Sequence, residues 1–149
     1  MNSPRSKSRS AARLAAVQAL YQMEMESIGI ARLLNECHAH RLGAEIEDAQ
    51  YADADGVFFD DVVSGVDARR EEIDALIEAK LGEQWKLSRI DKTMLQILRA
   101  GTYELLARAD VPTAAVIDEY VDVAHAFFDA KDAKFVNGLL DAVAKEKRV

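Results

Sequence analysis

The chain has 149 residues, of which half are apolar, 30% charged and 7% aromatic. That is material for one buried core, too apolar for intrinsic disorder and too short for a second large domain. Lys and Arg number 19 against 26 Asp and Glu, and the resulting charge of −7 argues against a globally basic nucleic-acid coat protein.

The charge is unevenly spread. The first thirteen residues hold Arg5, Lys7, Arg9 and Arg13 and no acid, a local +4 that leaves −11 on the rest. A single cysteine, Cys37, excludes an internal disulfide and a cysteine-based zinc cluster, and fits a reducing, cytoplasmic setting. No apolar run approaches the roughly 18–20 residues of a membrane span. The basic start lacks the apolar stretch of a secretory signal, because Arg13 and Gln18 interrupt it. Its Arg- and Ser-rich composition resembles a transit peptide, but it runs into an amphipathic helix that belongs to the fold. The chain therefore reads as one domain, residues 1–149, with residues 1–9 as a flexible basic arm.

Pro4 precedes any apolar pattern and Pro112 separates two strong ones, so the sequence between them is free to be helical. A first helix is predicted from Ser8 or Ser10, either of which can cap it, with Leu14, Val17 and Tyr21 on one buried stripe and Leu20 beside them. Five alanines between Ala11 and Ala19 favour helix and close packing. Gly29 separates a second helix carrying Ile30, Leu33, Leu34, Cys37 and Leu42. Residues 43–55 are acidic and read as a loop.

A third helical region starts near Gly56 and continues through Val62, Val66, Ile73 and Ile77 to Gly82. Its Arg69–Glu72 run is either a polar face or a kink. A connector with the only tryptophan, Trp85, follows. Asp91 is a predicted cap for a helix that is apolar on more than one side, from Met94 to Leu106, as expected of a central bundle helix. Thr113 is the predicted cap of the next, whose stripe is Val116, Ile117, Tyr120, Val121, Ala124 and Phe128, flanked by Val123 and Phe127. After a turn at 129–132, a last helix carries Phe135, Val136, Leu139, Leu140 and Val143. It ends in cations that suit the negative end of a helix dipole. The fold class is all-α: a compact domain of six or seven helices, arranged as two small packed bundles.

No constellation of residues points to catalysis. Cys37, His38 and His40 are close in sequence, but His38 and His40 diverge by about 200° on a helix, whereas paired helical ligands sit three or four residues apart. The simpler reading is a half-buried cysteine with two surface histidines, and a small metal-dependent hydrolase is disfavoured. The neighbouring acids at 60–61, 71–72 and 118–119 read as solvated faces or helix starts. His125, in a stretch of Ala and Phe, reads as a core or edge histidine. There is no glycine-rich phosphate loop and no nucleophile elbow. No cofactor is expected.

Two features resist the structural explanation. The arm places arginines among small polar residues, a device for RNA phosphates and bases, although a solubilising tail has the same composition. Near the C-terminus, Asn137 and Gly138 interrupt an apolar helix. A close helix crossing accounts for Gly138 but not for Lys134 and Asn137, which join the candidate RNA-binding residues.

Taken together, these segments resemble the NusB family of transcription antitermination factors. The resemblance rests on Ala16–Tyr21 after the basic arm, Trp85–Asp91 followed by Leu98-Arg99 and Tyr103–Leu106, Asp110–Pro112 with Ala115–Val121, and most specifically Lys134–Asp141. It spans nearly the whole chain, in order, and is weakest over residues 29–55. It implies two packed helical subdomains that bind single-stranded boxA-type RNA with the ribosomal protein acting as NusE. The pair joins an antitermination complex on RNA polymerase, chiefly on ribosomal RNA operons. The family's arginine-rich arm contacts RNA; the matching positions here are Arg9 and Arg13, with Arg5 and Lys7 further out, while two of its arginines fall on Ser10 and Ala11. Tyr21, Asp132, Lys134 and Phe135 match positions at or near the RNA and partner surface. The acidic body would offer NusE a complementary surface. The resemblance leaves the free protein open to being a monomer or a homodimer that hides its RNA surface. The same helical domain begins a ribosomal RNA cytosine methyltransferase, for which this chain is too short. The competing function is a non-enzymatic helical scaffold acting only through protein–protein contacts.

Overall fold

The computed structural model describes residues 4–39, 55–83 and 86–148, with side chains from Lys7 onward. Seven α-helices account for nearly all of it: α1 Pro4–Glu26, α2 Ile30–Cys37, α3 Gly56–Ala68, α4 Arg70–Leu81, α5 Lys92–Ala107, α6 Thr113–Phe127 and α7 Ala130–Lys147. A 3-10 turn, Leu87–Arg89, leads into α5. No strand occurs among the described residues. The acidic loop expected at 43–55 and the Trp85 connector lie outside the described residues, apart from Asp55.

Helix α5 is the shared axis. Its residues from Met94 to Leu105 are all buried. On one side α1 and α3 pack against it, with α2 resting on both; on the other lie α4, α6 and α7. The two small bundles thus have one helix in common, which explains why α5 is apolar nearly all round.

Local chemistry sets most of the boundaries. The Asp91 carboxylate accepts hydrogen bonds from the backbone N–H groups of Thr93 and Met94, at 2.8 and 3.1 Å, and so caps α5 as predicted. Asp55 does the same for α3 through Phe58, and Asp129 for α7 through Asp132. Gly82 ends α4 at φ +86°, where a side chain would be strained. The run at 69–72 is a kink, since Arg69 leaves helical geometry and divides α3 from α4.

Some expectations need correction. Helix α1 begins at Pro4, well before Ser8, so residues 4–9 of the expected flexible arm are its first turns. Proline fits there because the first helical N–H groups have no intrahelical partner. The buried face of α1 is mostly alanine. Ala12, Ala15, Ala16 and Ala19 are buried with Val17 and Leu20, while Tyr21 is 39% exposed. Thr113 does not cap α6; the cap position is Pro112. The Thr113 hydroxyl instead accepts a hydrogen bond from Arg148, which also donates to the carbonyls of Glu104, Leu105, Arg108 and Val111. One guanidinium thereby satisfies the open C-terminal end of α5. Gly138 makes no helix crossing, as it is exposed with open space around it. Close approaches occur at Gly65, against the ring of Tyr103, and at Gly101, against Leu140. His125 is exposed.

Candidate RNA interface

Two ion pairs, one buried and one partly buried, fix α1 on α5. Arg13 donates to both carboxylate oxygens of Glu104, at 2.8 and 3.0 Å, and Arg99 of α5 donates to Glu24 at 2.7 Å. The signs are exchanged between the two ends, so α1 has one register and one antiparallel direction on α5. The guanidinium of Arg99 also holds Asp74 of α4, at 2.8 and 3.0 Å. Burial opposes charge on Glu24, but the Arg99 hydrogen bond and charge outweigh it and hold its pKa below the ordinary value. Tyr120 donates to Glu104, and burial together with that carboxylate pushes its hydroxyl pKa well up.

This anchoring turns a weakly charged strip of α1 outward. Lys7, Tyr21 and Met25 are exposed, and Ser10, Ala11, Leu14, Gln18 and Gln22 are half-buried. Lys7 and Gln18 are eleven residues apart, close to three full turns, and so share a face. At the far end of the strip, Tyr21, Met25 and the acid Glu26 form an open cleft of about 580 Å³ with Val17, Gln18, Gln22, Thr93 and Phe127. Tyr21, Met25 and Phe127 are 39%, 54% and 43% exposed, an unusual concentration of accessible apolar surface.

A second cleft of about 540 Å³ adjoins it, lined by Arg89, Asp91, Met94, Phe128, Lys131, Asp132, Lys134 and Phe135 among others. The division falls between neighbouring residues: Thr93 and Phe127 line the first cleft, Met94 and Phe128 the second. The extended backbone at Phe128 breaks the chain between α6 and α7, and the two rings stay in tilted contact, with centroids 6.3 Å from each other. Three cations and an exposed ring, Phe135, surround this second cleft. Exposed aromatic faces beside cations suit unstacked bases and their phosphates.

The residues expected from sequence are placed unequally. Tyr21 lines the first cleft and Asp132, Lys134 and Phe135 the second. Asn137 is exposed one turn further along α7, beside Gly138. Lys7 is exposed, while the side chain of Arg5 is outside the described residues. Arg9 is largely covered, its side chain 17% exposed between Asp55 and Asp110. Arg13 must be corrected as an RNA contact. Its side chain is 4% exposed and spent on Glu104 and Glu119, so freeing it would strand a buried carboxylate. Sequence reasoning missed Phe127, Arg89 and Lys131 as site residues. The one available signal was the Phe127-Phe128 pair ahead of a helix break, since only one of two successive rings can face the core.

The Cys37–His40 reading lies partly outside the described residues, at His40. Cys37 is buried, and His38 faces Asp60 with Nε2 2.8 Å from its carboxylate. Among the described residues, no group of three or more His, Cys, Asp or Glu could hold a metal ion, and no helix is long and apolar enough to cross a membrane.

A Transcription antitermination protein NusB of Novosphingobium aromaticivorans is 68% identical over 142 residues, covering 95% of this chain and 96% of that protein. One from Sphingopyxis alaskensis is 65% identical over 144 residues, covering 97% of each. Among solved structures, NusB of T. maritima superposes with a TM-score of 0.76 at 32% identity, over 93% of this chain and 91% of that one. A chain in a crystal structure of antitermination factors NusB and NusE in complex with dsRNA superposes with a TM-score of 0.75 at 26% identity, over 93% and 96%. The NusB family model matches residues 10–145, and the chain belongs to the NusB family.

Proposed function

We propose that this protein is a non-catalytic, RNA-binding transcription antitermination factor. It binds single-stranded boxA-type RNA together with the NusE-type ribosomal protein, within an antitermination complex on RNA polymerase that serves chiefly ribosomal RNA operons. The observation that carries this reading is the pair of adjoining clefts bearing three exposed rings, Tyr21, Phe127 and Phe135, with Arg89, Lys131 and Lys134 beside them. Rings that stand open to solvent can stack only on bases that are themselves unstacked, which favours single strands over duplex.

The roles divide by chemistry. Tyr21, Phe127 and Phe135 stack bases, and Asn137 and Asp132 offer polar contacts to base edges. Arg89, Lys131, Lys134, Lys7 and Arg5 meet phosphates. A protein of charge −7 supplies few such cations, so affinity gains from a basic partner that extends the surface, while the acidic body attracts that partner. Relatives named transcription antitermination protein support the antitermination role, and a related chain crystallised with NusE and dsRNA supports RNA binding alongside that partner, while the preference for single strands rests on the exposed rings.

The test is an equilibrium titration of boxA-type RNA, the same RNA shuffled, and its duplex, with and without the NusE-type protein. Preference for the single-stranded boxA-type RNA, strengthened by the partner, is the expected result. Equal binding of all three would leave only sequence-independent phosphate contacts, and binding of none would leave a scaffold that acts through protein contacts.

A further inference from the structure

The two clefts offer an RNA strand different things. Arg89, Lys131 and Lys134 line the second. Among the described residues no cation lines the first, and its one charged group is the acid Glu26. Phosphates are drawn to the second cleft and not to the first, so the first is a place for a base edge. Beside the Tyr21 ring it holds two amides, Gln18 and Gln22, one turn apart on the same face of α1.

Only one of the amides is held. Gln22 Nε2 donates to Glu36 Oε2 of α2 at 3.2 Å. Arg32, one turn back on α2, donates to the other oxygen of that carboxylate at 3.4 Å. An ionised carboxylate accepts hydrogen bonds and donates none, so it admits the nitrogen end of an amide and rejects the oxygen end. Gln22 therefore has one orientation, with Oε1 and its second N–H unspent among the described residues. Gln18 has no hydrogen-bond partner among the described residues, and nothing sets which way its amide points.

An acceptor and a donor fixed side by side match one pattern of base edge. Adenine presents its N6 amino donor next to a ring acceptor, N1 on one edge and N7 on the other. Glutamine pairs with it by accepting from N6 through Oε1 and donating to the ring nitrogen through Nε2. We propose that Glu36 is a positioning residue for base recognition, and that the Gln22 amide it presets reads an adenine stacked on Tyr21. The proposal rests on the RNA-binding reading above. Glu36 stands behind Gln22 and touches no base itself. Helix α2 thereby takes part in recognition although it lines neither cleft.

The experiment compares boxA-type RNA with versions in which inosine replaces each adenosine in turn. Inosine keeps the stacking ring but exchanges the amino donor for a carbonyl acceptor, and the N1 acceptor for an N–H donor. Affinities are measured for wild type, Gln22→Ala, Glu36→Gln and Glu36→Lys, and unfolding midpoints check that each variant folds. At one position wild type should prefer adenosine by roughly five- to tenfold, the lower part of the range for a bidentate base contact. Gln22→Ala should bring that ratio close to unity. Glu36→Gln can face either end of the Gln22 amide and should lower the ratio. Glu36→Lys donates only, and should turn the amide round and favour inosine. The two RNAs carry equal charge, so a cation added at position 36, or a general loosening of α2, cancels from the ratio. A ratio that no variant changes at any position, or one that falls in Gln22→Ala but holds in both Glu36 variants, would overturn the proposal while leaving the RNA-binding reading intact. Failure of wild type to distinguish boxA-type RNA from its shuffled form would overturn that reading, and the proposal with it.

Discussion

Arg13 and Glu104 are 91 residues apart in sequence, yet they share two hydrogen bonds where water does not reach. Glu104 has no exposure at all and also accepts the Tyr120 hydroxyl. The pair joins the start of the chain to the central helix, and everything α1 displays depends on it. Arg13→Ala leaves that carboxylate buried and uncompensated, so the expected loss of stability is about 3–5 kcal/mol. Lysine does not restore it, because only the planar guanidinium reaches both oxygens. Urea unfolding measures the effect. An Arg13→Ala variant with unchanged stability and weakened RNA binding would return Arg13 to the interface.

The second clasp, Glu24 with Arg99, titrates. Because the folded pKa of Glu24 is held below its ordinary 4.5, its contribution is complete above that value. It is lost as pH falls through the lower, folded pKa. Acid should therefore loosen the Tyr21 end of α1. Unfolding midpoints measured from neutral pH downward should drop more steeply below about pH 4.5 in wild type than in Glu24→Gln. Parallel curves would show that the pair contributes nothing.

The glycines separate structure from surface. A Cβ on Gly65 would stand 2.1 Å from the Tyr103 ring, which also donates to Asp61 at 2.7 Å. A Cβ on Gly101 would meet the flexible end of Leu140 at 2.8 Å, and one on Gly138 would meet nothing. Gly65→Ala should cost the most, of the order of 1–3 kcal/mol or more, and Gly101→Ala less. Gly138→Ala should stabilise α7 by about 0.5–1 kcal/mol. Thermal unfolding of the three variants gives the order directly, and a destabilised Gly138→Ala would contradict the open surface described for α7.

Much of the fold could be read from local chemistry. Asp91 before an apolar helix, Gly82 at a stop and the polar run at 69–72 act within a few residues, and the structure uses all three as boundaries. What failed depended on distance. Nothing near Arg13 in sequence announces Glu104, so a basic residue among basic residues read as part of an RNA-binding arm. Tyr21 reads as part of a buried stripe because it is the larger apolar side chain at a helical spacing from Leu14 and Val17, and alanine is the weaker core signal. In fact four alanines let α1 lie close to its neighbours, and the larger ring is displaced to the rim. Lys134 and Asn137 stand out in the sequence as lacking a packing role, and both are exposed, Lys134 on the rim of the second cleft; Phe135 reads there as part of the apolar stripe but is 39% exposed. Phe127 went unrecognised because a ring at the end of an apolar stripe looks like core until the helix break is placed.

The account stands on base stacking across the two clefts. Its most direct test is the affinity of boxA-type RNA for wild type, Tyr21→Ala and Phe127→Ala, each with the NusE-type protein present and with unfolding midpoints measured in parallel. Each truncation should weaken binding by about 1–3 kcal/mol, the worth of one stacked base, with little change in stability because both rings are already partly in water. Wild-type affinity in both variants would contradict it.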